Sequence, residues 1–314
     1  MNFIITGALG HIGSKLIRDL PKSFPKSSFH IIDNFLTQRY SSLFNLPKNI
    51  NYNFINGDIN KIDISNIFKK NSIVIHLAAI TNAQDSFKNS NLIEKNNLQS
   101  TKKISNLCLK YNAKFIMIST TSVYGTQSTL VNESCKKNDL RPQSPYAEYK
   151  LKEENFVKKL NKKNNLRCTI LRFGTIYGTS QGMRFHTAVN KFCFQASNNQ
   201  PITIWKTAYN QKRPYLEIND AIRSLVFVIK NNLFDGEILN VLTGNHTVKD
   251  VVSKIKIYKK NISLRFVNNK IMNQLSYEVS NDKFKKKGFK FRGNMKKAIK
   301  TTLILLNNIN NNSY

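Results

Sequence analysis

Acidic side chains are scarce in this 314-residue chain: 18 Asp and Glu stand against 49 Lys and Arg, a formal net charge of +31. The lysines are spread over nearly every helix-like stretch, and no nucleic-acid-binding motif accompanies them. The excess therefore reads as background composition, and no nucleic-acid partner is expected. Even the densest basic run, "KFKKKGFKFRGNMKK" (Lys283–Lys297), alternates with Phe. A basic surface still favours a phosphate-bearing substrate. Cysteine is nearly absent, with four residues (Cys108, Cys135, Cys168, Cys193) far apart, no CxxC pair and no metal-ligand spacing. They read as thiols in a reducing compartment, and no metal is expected. No apolar run approaches the ~20 residues that span a bilayer, so no membrane partner is expected. A glycine motif opening at Thr6 leaves no room for a signal peptide, which points to the cytoplasm. What remains is ordinary globular material, 40% hydrophobic with 20 Phe and 12 Tyr, in a chain long enough for a large core.

Short apolar runs alternate with amphipathic stretches through the first half. The runs are "NFIIT" (2–6), "FHIID" (29–33), "NYNFI" (51–55), "SIVIHL" (72–77), "AKFIMIS" (113–119) and "RCTILRF" (167–173). Helical patterns lie between them at Ser14–Leu20, Asn91–Tyr111 and Ser144–Lys162. This alternation predicts an α/β fold, a parallel sheet with helices on both faces, and the continuous apolar strands fit a sheet covered on both sides. Past about residue 173 the pattern loosens, with one helical stretch at 219–231 and an apolar run "EILNVL" at 237–242. A dinucleotide-binding domain is expected over 1–172 plus about 212–242, with a smaller substrate-binding lobe over 173–211 and 243–314. The Asn-rich tail "NNINNNSY" is expected to fray.

The glycines of "TGALGHIG" fall at Gly7, Gly10 and Gly13, after a strand and at the opening of a helix. Glycine here permits a tight turn, close approach of backbone to a pyrophosphate, and close helix–strand packing. The helix N-terminus, from His11 and Ile12 onward, supplies open N–H groups and a positive dipole end. An acid follows twenty residues after Gly13, as Asp33, beside Asn34. A carboxylate there accepts from the adenosine ribose and repels a 2′-phosphate, favouring NAD over NADP.

In "SPYAEYK", Tyr146 and Lys150 stand four apart, with Ser144 as helix cap and Pro145 at the first helical position. Both side chains then share one face, and the ammonium favours the phenolate, drawing Tyr146 toward the range of a general base. "ISTTSVYG" (Ile118–Gly125), after the fifth strand, completes a set of hydroxyl, phenol and amine.

With these motifs the chain resembles the extended short-chain dehydrogenase/reductases, in particular the nucleotide-sugar epimerase/dehydratase branch, over nearly its whole length. The resemblance implies a Rossmann-type doubly wound parallel sheet with a smaller C-terminal substrate-binding lobe. It implies NAD as cofactor, with a nucleotide-diphosphate sugar as substrate, and a homodimer. Gly57 with Asp58 and Ile59 corresponds to the adenine side, and "HLAA" (His76–Ala79) contributes Leu77, Ala78 and Ala79 to the cofactor site. Asn97 corresponds to the asparagine of the following helix, and Thr120 to the catalytic hydroxyl four residues before Tyr124. Tyr146 and Lys150 complete the catalytic set. "LRFGTIYG" (Leu171–Gly178) resembles the loop into the substrate lobe, and "KRPYLEINDA" puts Arg213 on a substrate diphosphate, with Arg184 of "MRF" a second cation. Thr81 and Asn82 are placed to line the sugar pocket. His76 and Trp205 are read as packed side chains.

The implied chemistry is an NAD-dependent epimerisation, at C4, through a transient ketone. Two departures bear on it. Dehydratases of the branch carry Asp-Glu after the catalytic Thr, where this chain has Thr121 and Ser122. The position after "RF", often asparagine in the family, is Gly174. A ketoreductase of the same family and a non-catalytic dinucleotide- or RNA-binding protein are the alternatives, the last disfavoured by the intact set Thr120, Tyr146 and Lys150.

Overall fold

The structure is a computed structural model that describes every residue except 82–86, 88, 89, 126, 128, 129, 269–275 and 307–314, together with the side chains of 90 and 92. Asn82 and the Asn-rich tail lie outside the described residues.

The first half runs β1 (Asn2–Thr6), α1 (His11–Ser23), β2 (Ser28–Asp33), β3 (Asn51–Asn56) and β4 (Ile73–His76). It continues through α2 (Ser90–Ile93), a π turn at Glu94–Leu98, α3 (Gln99–Lys110), β5 (Lys114–Thr120), α4 (Pro145–Asn164) and β6 (Cys168–Phe173). The seven-stranded sheet has the order β10-β6-β5-β4-β1-β2-β3, with β10 spanning Asp235–Val241, and every pairing in it is parallel. The chain winds outward in both directions from β1, so a crevice opens at the C-terminal ends of β1 and β4, where such sheets bind ligands.

Both faces of the sheet are covered, which is why its strands are apolar at consecutive positions. On β1, Phe3 and Ile5 join a core with Leu16 and Ile17 of α1, while the intervening Ile4 joins Ile104 of α3 and Val157 of α4 on the other face. The one-residue alternation follows from the pleat.

The second half supplies β7 (Thr175–Tyr177), α5 (Ala188–Ser197), β8 (Ile202–Trp205), β9 (Lys212–Glu217) and α6 (Ile218–Lys230) before β10. After β10 come β11 (Gly244–Thr247), α7 (Val248–Lys256), β12 (Leu264–Val267), α8 (Asp282–Lys286) and α9 (Met295–Leu306). Two segments make contacts across the expected domain limits. Strand β9, in the stretch assigned to the large domain, instead pairs with β7 and β11 in a separate three-stranded sheet. Phe284 and Phe289, in the stretch assigned to the small lobe, stack at 4.6 Å and pack with Phe227 of α6 in the large core. The Phe-rich basic run is thus half core, its lysines lying outside. The remaining small-lobe core joins α5, α7 and α9 with β8.

Candidate functional site: a dinucleotide cleft continuous with a cationic cavity

The turn from β1 into α1 is as tight as the glycine spacing requires. Gly7 has φ +66°, and a Cβ there would lie 2.6 Å from the Ala78 amide nitrogen. A Cβ on Gly13 would lie 2.4 Å from the Gly7 carbonyl, so α1 can seat on β1 only without one. Gly10 differs, since its Cβ would meet nothing nearer than 3.4 Å and would face the cleft. It caps α1 with no side-chain hydrogen bond and no acid in the first turn, leaving the first N–H groups open to a ligand.

A cleft of about 350 Å³ lies over this helix start, lined by Gly7, Gly10, His11, Ile12, Gly13, Asp33, Asn34, Asp58, Ile59, Leu77, Ala78 and Ala79. Asp33 is held by two backbone donors, Leu9 N–H and Phe35 N–H, both at 3.0 Å. Asn34 and Asp58 accept from the backbone two residues on, at 3.1 and 2.9 Å, and so shape the rim. His11 turns away from the phosphate side, its Nε2 2.8 Å from the Gly178 carbonyl. Burial, reinforced by Arg184, lowers its pKa to about 3, so it is a neutral tie to the substrate lobe. Asn97 lines neither this cleft nor the adjoining cavity. Its amide accepts from Ile80 N–H at 2.8 Å and donates to Ile80 O at 2.9 Å, so it fixes the β4 exit loop rather than a ligand.

The sequence alone did not single out Arg39. Its guanidinium lies 4.0 Å from the Cβ position of Gly10, over the helix start, and it lines the cleft with Arg184. The available signal was a lone cation six residues past Asp33, which is weak. Open N–H groups, an unfilled Cβ position, two guanidiniums and the Asp33 carboxylate together fit a dinucleotide with its diphosphate at the start of α1.

The cleft continues, through Ile12, Leu77, Ala79, Thr81, Ile176, Arg184 and His186, into a cavity of about 450 Å³. Thr120, Tyr146 and Lys150 line its inner end. Ser144 caps α4 by accepting from Ala147 N–H at 3.2 Å with Pro145 next, as the sequence predicts, which fixes the first turn that carries Tyr146. The Thr120 hydroxyl hydrogen-bonds the Tyr146 phenol and also accepts from Ser122 N–H at 3.2 Å. Burial raises the phenol above its ordinary value, and Lys150, then Arg184, pull against that rise. The ammonium acts in the expected direction, but burial outweighs it.

Lys150 is buried and its Nζ lies 2.9 Å from Glu153 Oε2, a pairing the sequence analysis missed. The i,i+3 spacing of a lysine and a glutamate on one helix was its visible sign. The next residue, Glu154, is held by Arg172 through two contacts of 2.9 and 2.7 Å and by Ser119 at 2.5 Å. His76 is likewise internal, its Nδ1 2.7 Å from Thr6 Oγ1 and its pKa lowered to about 3 by burial and then by Lys150.

Of the expected substrate residues, Thr81, Thr120, Gly174, Arg184 and Arg213 all line the cavity. Arg184 donates to the Thr81 hydroxyl and leaves its buried Nε without a partner. Gly174 offers little to a ligand, since its N–H donates to Val241 O at 3.0 Å. A Cβ there would lie 3.0 Å from the Pro214 carbonyl, so the backbone of β9 takes the space of a side chain. Trp205, read as core, is half-buried, packs against the small-lobe core and also lines the cavity with Ile204, Phe192 and Lys191. Thr121 points away, 3.4 Å from Phe173 O. The described lining includes Lys150, Arg184, Lys191 and Arg213, and among the described residues no carboxylate.

Among solved structures, the fold matches UDP-glucuronic acid 4-epimerase from Bacillus cereus in complex with a fluorinated UDP-glucuronic acid and NAD, with TM-score 0.89 and 26% identity over 98% of this chain and 99% of that one. A curated relative, dTDP-D-glucose 4,6-dehydratase of Dictyostelium discoideum, is 32% identical over 83% of this chain, which spans only 61% of that protein. An uncharacterized UDP-glucose epimerase of Bacillus subtilis is 28% identical over 77% of this chain and 76% of its own length. The profile of the NAD dependent epimerase/dehydratase family matches residues 3–241, β1 through β10, and the chain belongs to that family.

Proposed function

We propose that the protein is an NAD-dependent 4-epimerase of a nucleotide-diphosphate sugar. The observation that carries this reading is the cavity lining: four cations, no described carboxylate, and the Thr120–Tyr146–Lys150 set at its inner end. Arg184, Lys191 and Arg213, the cations outside that set, suit a diphosphate, which guanidinium forks match closely. Eliminating water across the sugar needs an acid and a base beside the ring. Ser122, which faces the cavity, is neither, and Thr121 points elsewhere, which disfavours the dehydratase activity of the Dictyostelium relative. Trp205 and Phe192 supply apolar surface for a nucleobase at the outer end.

In this reading Tyr146 Oη takes the proton of the C4 hydroxyl and returns it when the alcohol re-forms. Thr120 holds the same oxygen in line, and Lys150 keeps its charge beside the phenolate. A bound nicotinamide supplies the hydride acceptor and donor. Gly10, Arg39 and Asp33 would hold the dinucleotide in the cleft, which is continuous with the cavity that carries Thr120, Tyr146 and Lys150.

The test begins with the cofactor. Denaturing the purified protein should release near-stoichiometric NAD(H), and UDP-glucuronic acid is the first of a UDP-, GDP- and dTDP-sugar panel to try. Tyr146→Phe should lower turnover by at least about a hundredfold while the NAD content stays the same. Retained turnover would sink the mechanism. A protein isolated empty, and active on a keto-sugar only with added NADH, would make it a reductase.

A further inference from the structure

Tyr146, Lys150 and Glu153 stand at i, i+4 and i+7 on α4 and form one stripe turned inward. Lys150 and Glu153 are among the most enclosed charged groups of the protein, with side-chain exposures of 4% and 0%. Glu153 Oε2 receives two donors, Lys150 Nζ at 2.9 Å and Thr101 Oγ1 of α3 at 2.6 Å. Its other oxygen, Oε1, is buried with no partner. A buried carboxylate with half its hydrogen-bonding capacity unused costs desolvation that a packing role alone does not repay.

We propose that Glu153 is a positioning residue that fixes the Lys150 ammonium and, by offsetting its charge, sets the basicity of Tyr146. The proposal rests on the epimerase reading only for the use made of the phenol. The geometry separates two effects. Thr101 anchors the carboxylate from α3, so one of the three Lys150 donors is committed sideways and two remain for the cleft. The carboxylate also pairs with the ammonium one turn further along the stripe, so Tyr146 meets a cation whose field is partly cancelled.

Among the described residues, Glu153 is the carboxylate that acts on the phenol, through its pairing with Lys150. Glu154, the next residue on α4, is neutralised by Arg172 of β6. His76 of β4 is neutral, and the segment after β7 contributes the cation Arg184. Strand β5 contributes the Thr120 hydroxyl, and α3 sets Ser100 against His76 and Thr101 against Glu153. Glu94, on the π turn, is exposed and accepts from Tyr149 Oη at 2.7 Å. The charge balance accords with this arrangement. Burial alone would lower the Lys150 pKa, yet Glu153 leaves it raised, and Glu153 is among the groups that push the phenol up.

The sign of the expected effect follows. Removing a negative charge favours the phenolate, so Glu153→Gln should move the Tyr146 titration to lower pH by roughly one unit, about tenfold more phenolate at a given pH below the midpoint. Phenolate absorbance near neutral and alkaline pH, read as each protein minus its Tyr146→Phe counterpart, isolates this one phenol without any substrate. Glu153→Asp, which keeps the charge at a shorter reach, should shift the midpoint the same way by less. A purely structural Glu153 would lower the melting temperature of the Gln variant and leave the difference titration in place. An unmoved midpoint, or one moved upward, in whichever of the two variants folds would overturn the proposal. Because no sugar enters the measurement, its failure is distinct from failure of the epimerase reading.

Discussion

Two helices open onto the site, and they open in opposite ways. Helix α4 is closed by its own sequence: Ser144 accepts from Ala147 N–H, Pro145 has no N–H to satisfy, and Glu148 sits in the first turn. Helix α1 has none of this, only Gly10 with no side-chain cap and no acid in its first turn. The difference matches what each helix must do. A helix that carries the reacting side chain gains from a satisfied, rigid start. A helix that holds an anion must leave its N–H groups free and its dipole end unscreened. An uncapped helix start beside a cleft is thus a binding feature, and a capped one beside the same cleft is a scaffold.

The sharpest way to break this contrast is to give α1 the cap it lacks. Gly10 sits at φ −67° and ψ −179°, extended backbone open to any residue, and the Cβ position is clear. Gly10→Asp should therefore fold and hold its melting temperature, or raise it slightly, since an N-cap acid improves on a glycine cap by about a few tenths of a kcal/mol. The same carboxylate would stand where the diphosphate belongs, and NAD affinity should fall by at least about a hundredfold. Calorimetric titration beside a melting curve checks both halves, and an unchanged affinity would take the start of α1 out of the binding site.

A smaller effect tests the cation above that start. Arg39 has Asp33 as its electrostatic partner and faces the Gly10 position from the loop after β2. Arg39→Ala should speed NAD release about tenfold, the loss of one charge-assisted contact, and flatten the salt dependence of binding. Equal release rates would assign the phosphate contact to Arg184 and the backbone alone.

Much of this was legible in the residues, and what was not has physical causes. The parallel sheet announced itself because strands covered on both faces are apolar at consecutive positions, as at Phe3, Ile4 and Ile5. The glycine turn was legible because backbone sterics leave no alternative at Gly7 and Gly13. Arg39, Lys191 and Glu153 were harder, because each acts through tertiary placement. Nothing local distinguishes Arg39 or Lys191 from the many other cations of the chain, and Glu153 looks like one more solvated acid until α3 is packed over it. Asn97 shows the converse: its sequence position is informative, but its amide is spent on the Ile80 backbone. The pairing of β9 with β7 and β11 was not legible for a related reason, since strand pairing is a long-range choice that six residues do not encode.

The smallest expected effect comes from opening the helix that is closed. Ser144→Ala removes the cap of α4 and should cost about 1 kcal/mol of stability. Tyr146 is the second helical residue, so the loosened turn is the one that aims the phenol, and kcat should fall severalfold with little change in KM and none in NAD content. Ser144→Asp then separates the two consequences of the cap. The acid restores the hydrogen bond to Ala147 and with it the stability, yet it adds a negative charge within one turn of the phenol. Stability should return in full, whereas the acid limb of the pH–rate profile should move upward, opposite in sign to the shift from Glu153→Gln. If both return together, Ser144 matters to the phenol only through helix geometry, and the charge around Tyr146 is set further down the stripe, at Lys150 and Glu153.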